Sequence, residues 1–206
     1  MRNTQRVLGR LLTRRNEHPE SLAKIDQQIH EIFGQTHAIF VLDMCGFTRL
    51  TMEHGITHFL AMIHRLRTLV CPVIIQHGGS VVKTEADNIF AVFPDVHEAL
   101  DAAIHAQRCL HQVDAVLPDD WDLVASIGIG FGEILIIHGE DFFGNEVNLA
   151  TKLGEDIAGP DEIFLTPAAR ARILDAKFRL AELQTKISGV PTVLYRVNPP
   201  SERVEG

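Results

Sequence analysis

Two acidic residues, Asp43 and Asp87, stand where a carboxylate could bind a divalent cation. Asp43 follows the apolar run at residues 38–42, which is typical of a strand buried on both faces. Gly46 and a helical pattern from Phe47 come next. A buried strand that ends in an acid loses hydration free energy unless a cation or a hydrogen bond compensates the charge. A cap for the following helix is the alternative role of Asp43.

The second acid, Asp87, lies between two apolar runs at residues 80–84 and 89–93. Asp87 and Asn88 suit the positive φ angles of a tight turn, so the pattern predicts a β-hairpin with these two residues at its tip. Turn formation alone is sufficient to explain an aspartate at this position.

A metal site follows if the hairpin lies beside the first strand, because Asp43 and Asp87 then converge. Two carboxylates and one backbone carbonyl, such as that of Met44, are ligands that Mg²⁺ and Mn²⁺ accept. Such a site leaves coordination positions for the phosphate oxygens of a substrate.

A third stretch, residues 140–153, combines an acid, a turn glycine and a helical pattern. Asp141 precedes Gly144, and Asn148 and Lys152 are four residues apart on one predicted helix face. That pair can present an amide and a cation to one phosphate ester. A helix terminus with a solvated polar face is the alternative interpretation.

These residues need a sheet that holds the first strand and the hairpin side by side. The order strand, helices, hairpin, helix, strand after residue 37 predicts a βαββαβ unit, and no long linker divides the chain. We therefore expect one α/β domain at residues 37–197. The predicted helices are 47–54, 56–77, 96–113, one after Gly144 and 167–174; the predicted later strands are 123–131 with partner 133–138, 162–165, 178–183 and 192–197.

Residues 1–36 predict a helical extension, and residues 198–206 a disordered tail. Arginines at i, i+4 spacing mark one face of the first helix, and leucines and Val7 mark another. We expect this helix to pack on a partner subunit or to lie loosely in solvent. Pro19 and Ser21 begin a second helix with Ile25 and Ile29 in its apolar stripe.

The composition is that of an ordinary globular protein and excludes several classes. The chain has 206 residues and a net charge of −8, which argues against nucleic-acid binding. Its three cysteines have no C-x-x-C spacing, which indicates reduced thiols. No apolar run approaches membrane-spanning length and no signal peptide is evident, so we expect a cytoplasmic protein without a transmembrane segment.

The three stretches together resemble class III nucleotide cyclases, the adenylyl and guanylyl cyclase homology domain. The resemblance covers residues 37–197 and rests on three motifs in order. The motifs are Phe40-x-x-Asp43-x-x-Gly46-Phe47-Thr48, Lys83-x-x-x-Asp87 and Asp141-x-x-Gly144-x-x-Val147-Asn148.

The resemblance implies a ferredoxin-like α/β sandwich that works as a head-to-tail homodimer with active sites at the interface. By similarity, Asp43 and Asp87, with the Met44 carbonyl, would hold two Mg²⁺ or Mn²⁺ ions. The ions would assist attack of the ribose 3′-hydroxyl on the α-phosphate of ATP, releasing 3′,5′-cyclic AMP and pyrophosphate.

The resemblance also assigns the residues that bind the nucleotide. Lys83 and Asp141 match the purine-reading positions of adenylyl cyclases and would come from the other subunit. Guanylyl cyclases usually have an acid where Lys83 stands, so the match favours ATP over GTP. Asn148 would orient the ribose, and Phe47 belongs to the nucleotide-binding set.

Three departures from the family pattern concern catalysis. Lys152 stands where the family has a transition-state arginine, and lysine lacks the bidentate guanidinium fork. Ser188 stands where many relatives have a triphosphate-binding lysine, and Lys186, two residues earlier, is the candidate substitute. Ala86 replaces the glycine before the second metal aspartate.

Two functions therefore remain open from the sequence. One is an active adenylate cyclase that uses Lys152 in place of the arginine. The other is a cyclase-homology domain that binds nucleotide or a partner protein and turns over slowly or not at all. A weaker third possibility keeps the enzyme and changes the base, to GTP or a pyrimidine nucleotide.

Overall fold

A βαββαβ unit forms the centre of the fold, as the order of apolar patterns predicts. The computed structural model describes residues 3–114, 123–174, 178–187 and 189–198, and the side chains of all of these except residues 47–50, 113 and 114. The helices are α1 Gln5–Glu17, α2 Leu22–Phe33, α3 Phe47–His54, α4 Ile56–Gln76, α5 Val96–Asp114, α6 Asn145–Lys152 and α7 Pro167–Arg170. The strands are β1 Gly34–Met44, β2 Ser80–Glu85, β3 Asn88–Phe93, β4 Ala125–Ile137, β5 Asp141–Phe143, β6 Ile163–Leu165, β7 Arg179–Ile187 and β8 Val190–Asn198.

The described strands form one sheet in the order β2-β3-β1-β4-β6-β8-β7, and β5 pairs with β4. Only the β4–β6 pair is parallel among these strands. The segment β2-β3-β1-β4 is the strand order of a split βαβ, ferredoxin-like unit. The fold class predicted from the sequence is therefore confirmed.

Strand β1 is buried on both faces, because its side chains alternate between two apolar layers. Phe40 and Leu42 belong to the layer under α4 and α5, whereas Ile39 and Val41 belong to the layer under α6. All four are fully buried. This double burial holds the strand end that carries Asp43 in place.

Helix α4 contributes a face of the main core with the spacing expected from the sequence. Phe59, Ile63, Leu66, Val70 and Ile74 are all buried there. By length and composition alone this 21-residue helix could also cross a bilayer, which the sequence analysis did not anticipate. Core helices meet the same criterion, and the buried face of α4 packs on α5 and the sheet.

The predicted hairpin of residues 123–131 and 133–138 is wrong. Both segments belong to the single strand β4, which pairs with β1 along its whole length, from Gly34 opposite Leu135 to Met44 opposite Ala125. Gly132, which lies between the two predicted strands, continues the ladder opposite His37. A long partner strand satisfies the backbone hydrogen bonds that a turn would leave open.

The hairpin of β2 and β3 is present, but its turn differs by one residue from the prediction. Glu85 pairs with Asn88, so Ala86 and Asp87 form the two-residue loop. Ala86 has the positive φ, +48°, and Asn88 is already part of β3. Alanine at such a position is strained because its Cβ crowds the following carbonyl.

The N-terminal helices pack on this chain's own sheet, which differs from the expected contact with a partner or solvent. Leu8, Leu11, Ile29 and Phe33 form a buried cluster with Ile137 of β4. The Asn3 amide donates a hydrogen bond of 2.7 Å to the Ile136 carbonyl. Helix α2 leads without a loop into β1. At the C-terminal end, β8 ends at Asn198, the first residue of the predicted tail. The rest of that tail lies outside the described residues.

Candidate active site

Asp43 and Asp87 lie at the same end of the sheet. Leu42 pairs with Ile89 across β1 and β3. Asp43 therefore follows the last residue of β1 that pairs with β3, and Asp87, in the turn before β3, lies two residues before Ile89. The topology thus brings together two acids that are 44 positions apart in the chain. Their shared role as metal ligands stays a prediction.

The electrostatics at this end are unfavourable for the charged form of Asp43. Burial, and then the charges of Asp87, Glu155 and Asp156, raise the pKa of Asp43 to about 7. Burial, followed by the charge of Asp156, raises the pKa of Glu155 as well. The charge of Lys152 opposes the shift of the Glu155 pKa, whereas the charges that act most strongly on Asp43 are all carboxylates, so negative charge predominates around Asp43.

Glu155 and Asp156 were missed by the sequence analysis. They lie on the π-helical turn Leu153–Ile157 that continues α6, and they reach the site because α6 crosses β4 closely. A Cβ on Gly128 of β4 would stand 2.1 Å from the Ala150 carbonyl, so only glycine permits this approach. The sequence signal for these residues was weak. Two acids follow Lys152 on a predicted helix, but residue spacing does not reveal which strand that helix packs on.

Ser126 is a further residue that the sequence did not reveal. It is a buried polar side chain on β4, opposite Asp43 in the ladder. Its hydroxyl donates a hydrogen bond of 2.7 Å to the Gly154 carbonyl and lies 3.4 Å from the Asp43 carbonyl. It therefore ties the end of β1 to the acidic turn after α6.

The candidate metal ligands at this end of the sheet are all oxygen atoms, the donor type that Mg²⁺ and Mn²⁺ accept. Within the described part of the chain there is no group of three or more His, Cys, Asp or Glu side chains able to hold a metal alone. Two carboxylates and the Met44 carbonyl would hold such a cation only together with further oxygen ligands, such as those of water and phosphate. The Met44 side chain is buried, and its carbonyl role stays a prediction.

Lys83 and Asp141 form an ion pair in a second part of the site. Their Nζ and Oδ1 atoms are 3.1 Å apart, and Lys83 also contacts Glu85 Oε2 at 2.9 Å. Burial opposes the charged lysine, but hydrogen bonds to Glu85 and Asp141 and their charges raise the pKa of Lys83 overall. Glu85 was not expected in this role.

The local structure explains how Lys83 and Asp141 meet. The register of β2 shifts between Val81 and Lys83, which places Lys83 opposite Phe90 with its ammonium 4.9 Å from the ring centre. Asp141 begins β5, which lies against the end of β4. A β-bulge re-aims the side chains that follow it, so this irregularity directs Lys83 to its partners.

A cavity of about 420 Å³ opens beside this ion pair. Lys83, Glu85, Asp141 and Asn148 line it, with Phe90 and Phe142 as its apolar wall. Glu155 also lines the cavity and accepts a hydrogen bond of 2.8 Å from Asn88, so the cavity reaches the acidic end. Charged edges and an aromatic wall suit a flat polar ring.

Asn148 and Lys152 lie on α6 and line a larger cavity of about 980 Å³. Lys152 is half exposed, and its ammonium contacts Asp156 at 2.5 Å. This hydrogen bond and the charge of Asp156 raise the pKa of Lys152. Asn148 lines both cavities, which places it between the smaller cavity and the wider one.

The structure does not bring Lys186 to these groups. It is exposed on β7, paired with Pro191, and its neighbour Ile187 lines the larger cavity. Successive strand residues face opposite sides, so Lys186 points away from the cavity that Ile187 lines. Within a single copy of the chain, the structure therefore gives no support to the prediction that Lys186 replaces the triphosphate-binding lysine of the family. Ser188 itself and the Phe47 side chain lie outside the described residues.

Curated relatives of the chain are named as adenylate cyclases, although no family model matches. The putative adenylate cyclase 3 of Rhizobium meliloti is 28% identical over 130 residues, 63% of this chain and 22% of that protein. The adenylate cyclase of Streptomyces coelicolor is 29% identical over 138 residues, 67% of this chain and 34% of that protein. The chain thus spans between about a fifth and a third of these relatives.

A solved structure gives the same assignment. The adenylate/guanylate cyclase/hydrolase from Silicibacter pomeroyi has a TM-score of 0.68 and 29% identity, covering 81% of this chain and 98% of that one. Its coverage shows that the shared fold is nearly the whole of that domain. By its sequence relatives, this structural neighbour and the three motifs on a βαββαβ sheet, the chain is similar to class III adenylyl/guanylyl cyclase homology domains.

Proposed function

We propose that the chain is an adenylate cyclase that converts ATP to 3′,5′-cyclic AMP and pyrophosphate at a homodimer interface. The observation that carries this proposal is the acidic end of the sheet, where burial, and then the charges of Asp87 and Glu155, raise the pKa of Asp43 to about 7. An uncompensated carboxylate group costs stability in the protein alone, and cation binding is the use that justifies it.

Asp43, Asp87 and the Met44 carbonyl would hold the cations, and Mg²⁺ or Mn²⁺ fits this oxygen set. When bound, two such ions activate the ribose 3′-hydroxyl and stabilise charge at the α-phosphorus. The protein's own part is to hold the two acids at a rigid strand end and a two-residue turn, within reach of one phosphate chain.

Lys83 and Asp141 would read the adenine ring. The Lys83 ammonium donates to ring N1, and the Asp141 carboxylate accepts from the 6-amino group. Their mutual contact of 3.1 Å fixes both groups before the base arrives, so less conformational entropy is lost on binding. Phe90 and Phe142 supply the apolar wall of this cavity.

Asn148 and Lys152 would serve the ribose and the phosphates. They lie one helical turn apart on α6, and both line the larger cavity. In this geometry the Asn148 amide orients the sugar, and the Lys152 ammonium leaves Asp156 to meet charge that develops on the α-phosphate.

The homodimer is part of this proposal. The larger cavity is broad and partly apolar, with Leu149, Ile187 and Val190 in its wall. Exposed apolar side chains, Met52 and Ile56, lie on α3 and at the start of α4, close in sequence to Asp43. A head-to-tail pair would set the acids of one copy against Lys83 and Asp141 of the other. The cytoplasmic location also belongs to the proposal.

Incubation of the purified chain with ATP and Mn²⁺, followed by chromatography and mass spectrometry, tests this function. We expect 3′,5′-cyclic AMP and pyrophosphate in equal amounts, and no product from Asp43→Ala. Parallel assays with GTP, CTP and UTP test the base. The absence of a cyclic product from all four nucleotides, in the wild-type chain, would overturn the proposal.

A catalytically weak domain that binds nucleotide is the second candidate. The observation that favours it is the Lys152 ammonium, which is held by Asp156 and lacks the bidentate fork of arginine. If this is the lesion, Lys152→Arg together with Ser188→Lys should raise the rate of cyclic AMP formation about 10²-fold. An unchanged rate, with ATP binding intact by calorimetry, would contradict this account.

A further inference from the structure

The Lys83 ammonium bridges two carboxylates, whereas the family resemblance accounts for only one of them. Glu85 Oε2 is 2.9 Å from Lys83 Nζ on one side, and Asp141 Oδ1 is 3.1 Å away on the other. Lys83 and Glu85 share one face of β2 because they are two residues apart after the bulge. Asp141 comes from β5.

All three side chains line the cavity of about 420 Å³. Lys83 and Asp141 are about a third exposed, at 28% and 32%, whereas Glu85 is 67% exposed. An ammonium has three N–H donors, so one remains after both carboxylates are bound. Each carboxylate keeps free acceptor positions. The cavity therefore presents a row of acceptor, donor and acceptor.

Only some purine edges complement such a row. Adenine offers a donor at the 6-amino group, an acceptor at N1 and a C–H at position 2, so it fills two of the three positions. Guanine offers an acceptor at O6 and a donor at N1, which oppose the first two protein groups, and a 2-amino donor that suits the third. A 2,6-diaminopurine offers donor, acceptor and donor.

We propose that Glu85 is a third base-reading residue, which faces position 2 of the purine and accepts a hydrogen bond from an amino group there. The inference rests on the proposed nucleotide function and deepens it. The preferred substrate class is then a 6-aminopurine nucleoside triphosphate, with the 2,6-diamino form bound more tightly than ATP.

The test compares ATP, 2-amino-ATP and GTP. Initial rates with Mn²⁺ give kcat/KM, and the 3′-deoxy forms, which lack the attacking hydroxyl, give Kd by calorimetry. For the wild-type chain we expect an approximately tenfold advantage of 2-amino-ATP over ATP, because a hydrogen bond to a charged acceptor contributes about that factor. The kcat/KM for GTP should be about 10²-fold lower than that for ATP, since O6 and N1–H of guanine face protein groups of the same hydrogen-bonding type.

Glu85→Ala supplies the decisive comparison. Glu85 is exposed, so its removal leaves the core intact. We expect 2-amino-ATP to lose its advantage in kcat/KM over ATP. The kcat/KM for ATP should change by less than threefold, and the kcat/KM for GTP should fall further. A residue that only positioned Lys83 would instead weaken all 6-aminopurines equally. Glu85→Gln keeps an uncharged acceptor and should retain part of the advantage.

Glu182→Gln is the matched control, because it removes an exposed carboxylate on β7 far from this cavity in the sheet order. It should leave all three nucleotides unchanged. If the chain uses ATP but shows no 2-amino advantage, or keeps that advantage in Glu85→Ala, this inference is overturned and the proposed function stands. If no nucleotide binds or reacts, both are overturned.

Discussion

The two charged regions of the site are built on opposite principles. The acidic end around Asp43 gathers carboxylates that repel one another, and the pKa of Asp43 is raised to about 7. The base cavity pairs its charges internally, with Lys83 between Glu85 and Asp141. The first region therefore gathers charges of one sign, whereas the second pairs opposite charges within the chain. In the proposed function this difference would separate cation binding from recognition of the base.

The largest expected effect comes from removing the key acid. Asp43→Asn should lower cyclic AMP formation by at least about 10³-fold, since it removes a predicted ligand of both ions. The same change should raise the free energy of unfolding at pH 8 by about 1–3 kcal/mol, because a buried repelled charge disappears. Activity assays and urea denaturation check the two results. A destabilised Asp43→Asn protein would contradict the view that this charge is uncompensated.

The second prediction uses pH and metal at the same end of the sheet. The folded-state pKa of Asp43 is raised from 3.8 to about 7, so the folded protein binds more protons than the unfolded one between these values. The contribution of Asp43 to the free energy of unfolding is therefore present at low pH and is lost as the pH rises from about 4 to 7.

The measurement is the Tm of the wild-type chain and of Asp43→Asn from pH 5 to 8, with and without Mn²⁺. We expect the difference between the two proteins to grow with pH, and Mn²⁺ to raise the wild-type Tm most at pH 8. Equal pH profiles for the two proteins would remove the electrostatic argument. Ser126→Ala is a control that keeps both acids.

A change at Lys83, which is paired with Glu85 and Asp141, should affect recognition of the base and leave the stabilisation by Mn²⁺ unchanged. Lys83→Met should lower kcat/KM for ATP by about 10–100-fold, because it removes the donor to the ring and leaves two carboxylates unpaired. The ratio of GTP to ATP activity should rise. Mn²⁺-induced stabilisation should match the wild type; its loss would show that the two regions are coupled more tightly than their contacts indicate.

The smallest effect is expected at the turn between the regions. Ala86 has a φ of +48°, and this conformation costs alanine about 1–2 kcal/mol. Glycine would remove this cost, but it would also give the unfolded chain more conformational entropy, which offsets part of the gain in stability. Ala86→Gly should therefore raise the free energy of unfolding by about 0.5–1 kcal/mol, measured by urea denaturation. Ala86→Val, which is more crowded at positive φ, should lower it.

Local patterns were sufficient for the elements whose signals are strong. The periodicity of α4 and the apolar run of β1 predicted a helix and a doubly buried strand, and both are observed. The pattern failed at β4, because a glycine and a charged residue resemble a turn unless the long partner β1 is known. It also placed the hairpin tip one residue too late, since the preference of Asp and Asn for turns outweighed the register.

Spacing and side-chain type along the chain predicted the α/β fold class, the resemblance to class III nucleotide cyclases and two pairs of candidate residues, because these depend on local patterns. The contact of Glu85 with Lys83, the influence of Glu155 and Asp156 on Asp43 and the packing of the N-terminal helices on Ile137 became visible only in the folded chain. These contacts arise from a β-bulge, a close helix crossing at Gly128 and the packing of distant apolar faces. Each depends on distances in space that local sequence preferences do not encode.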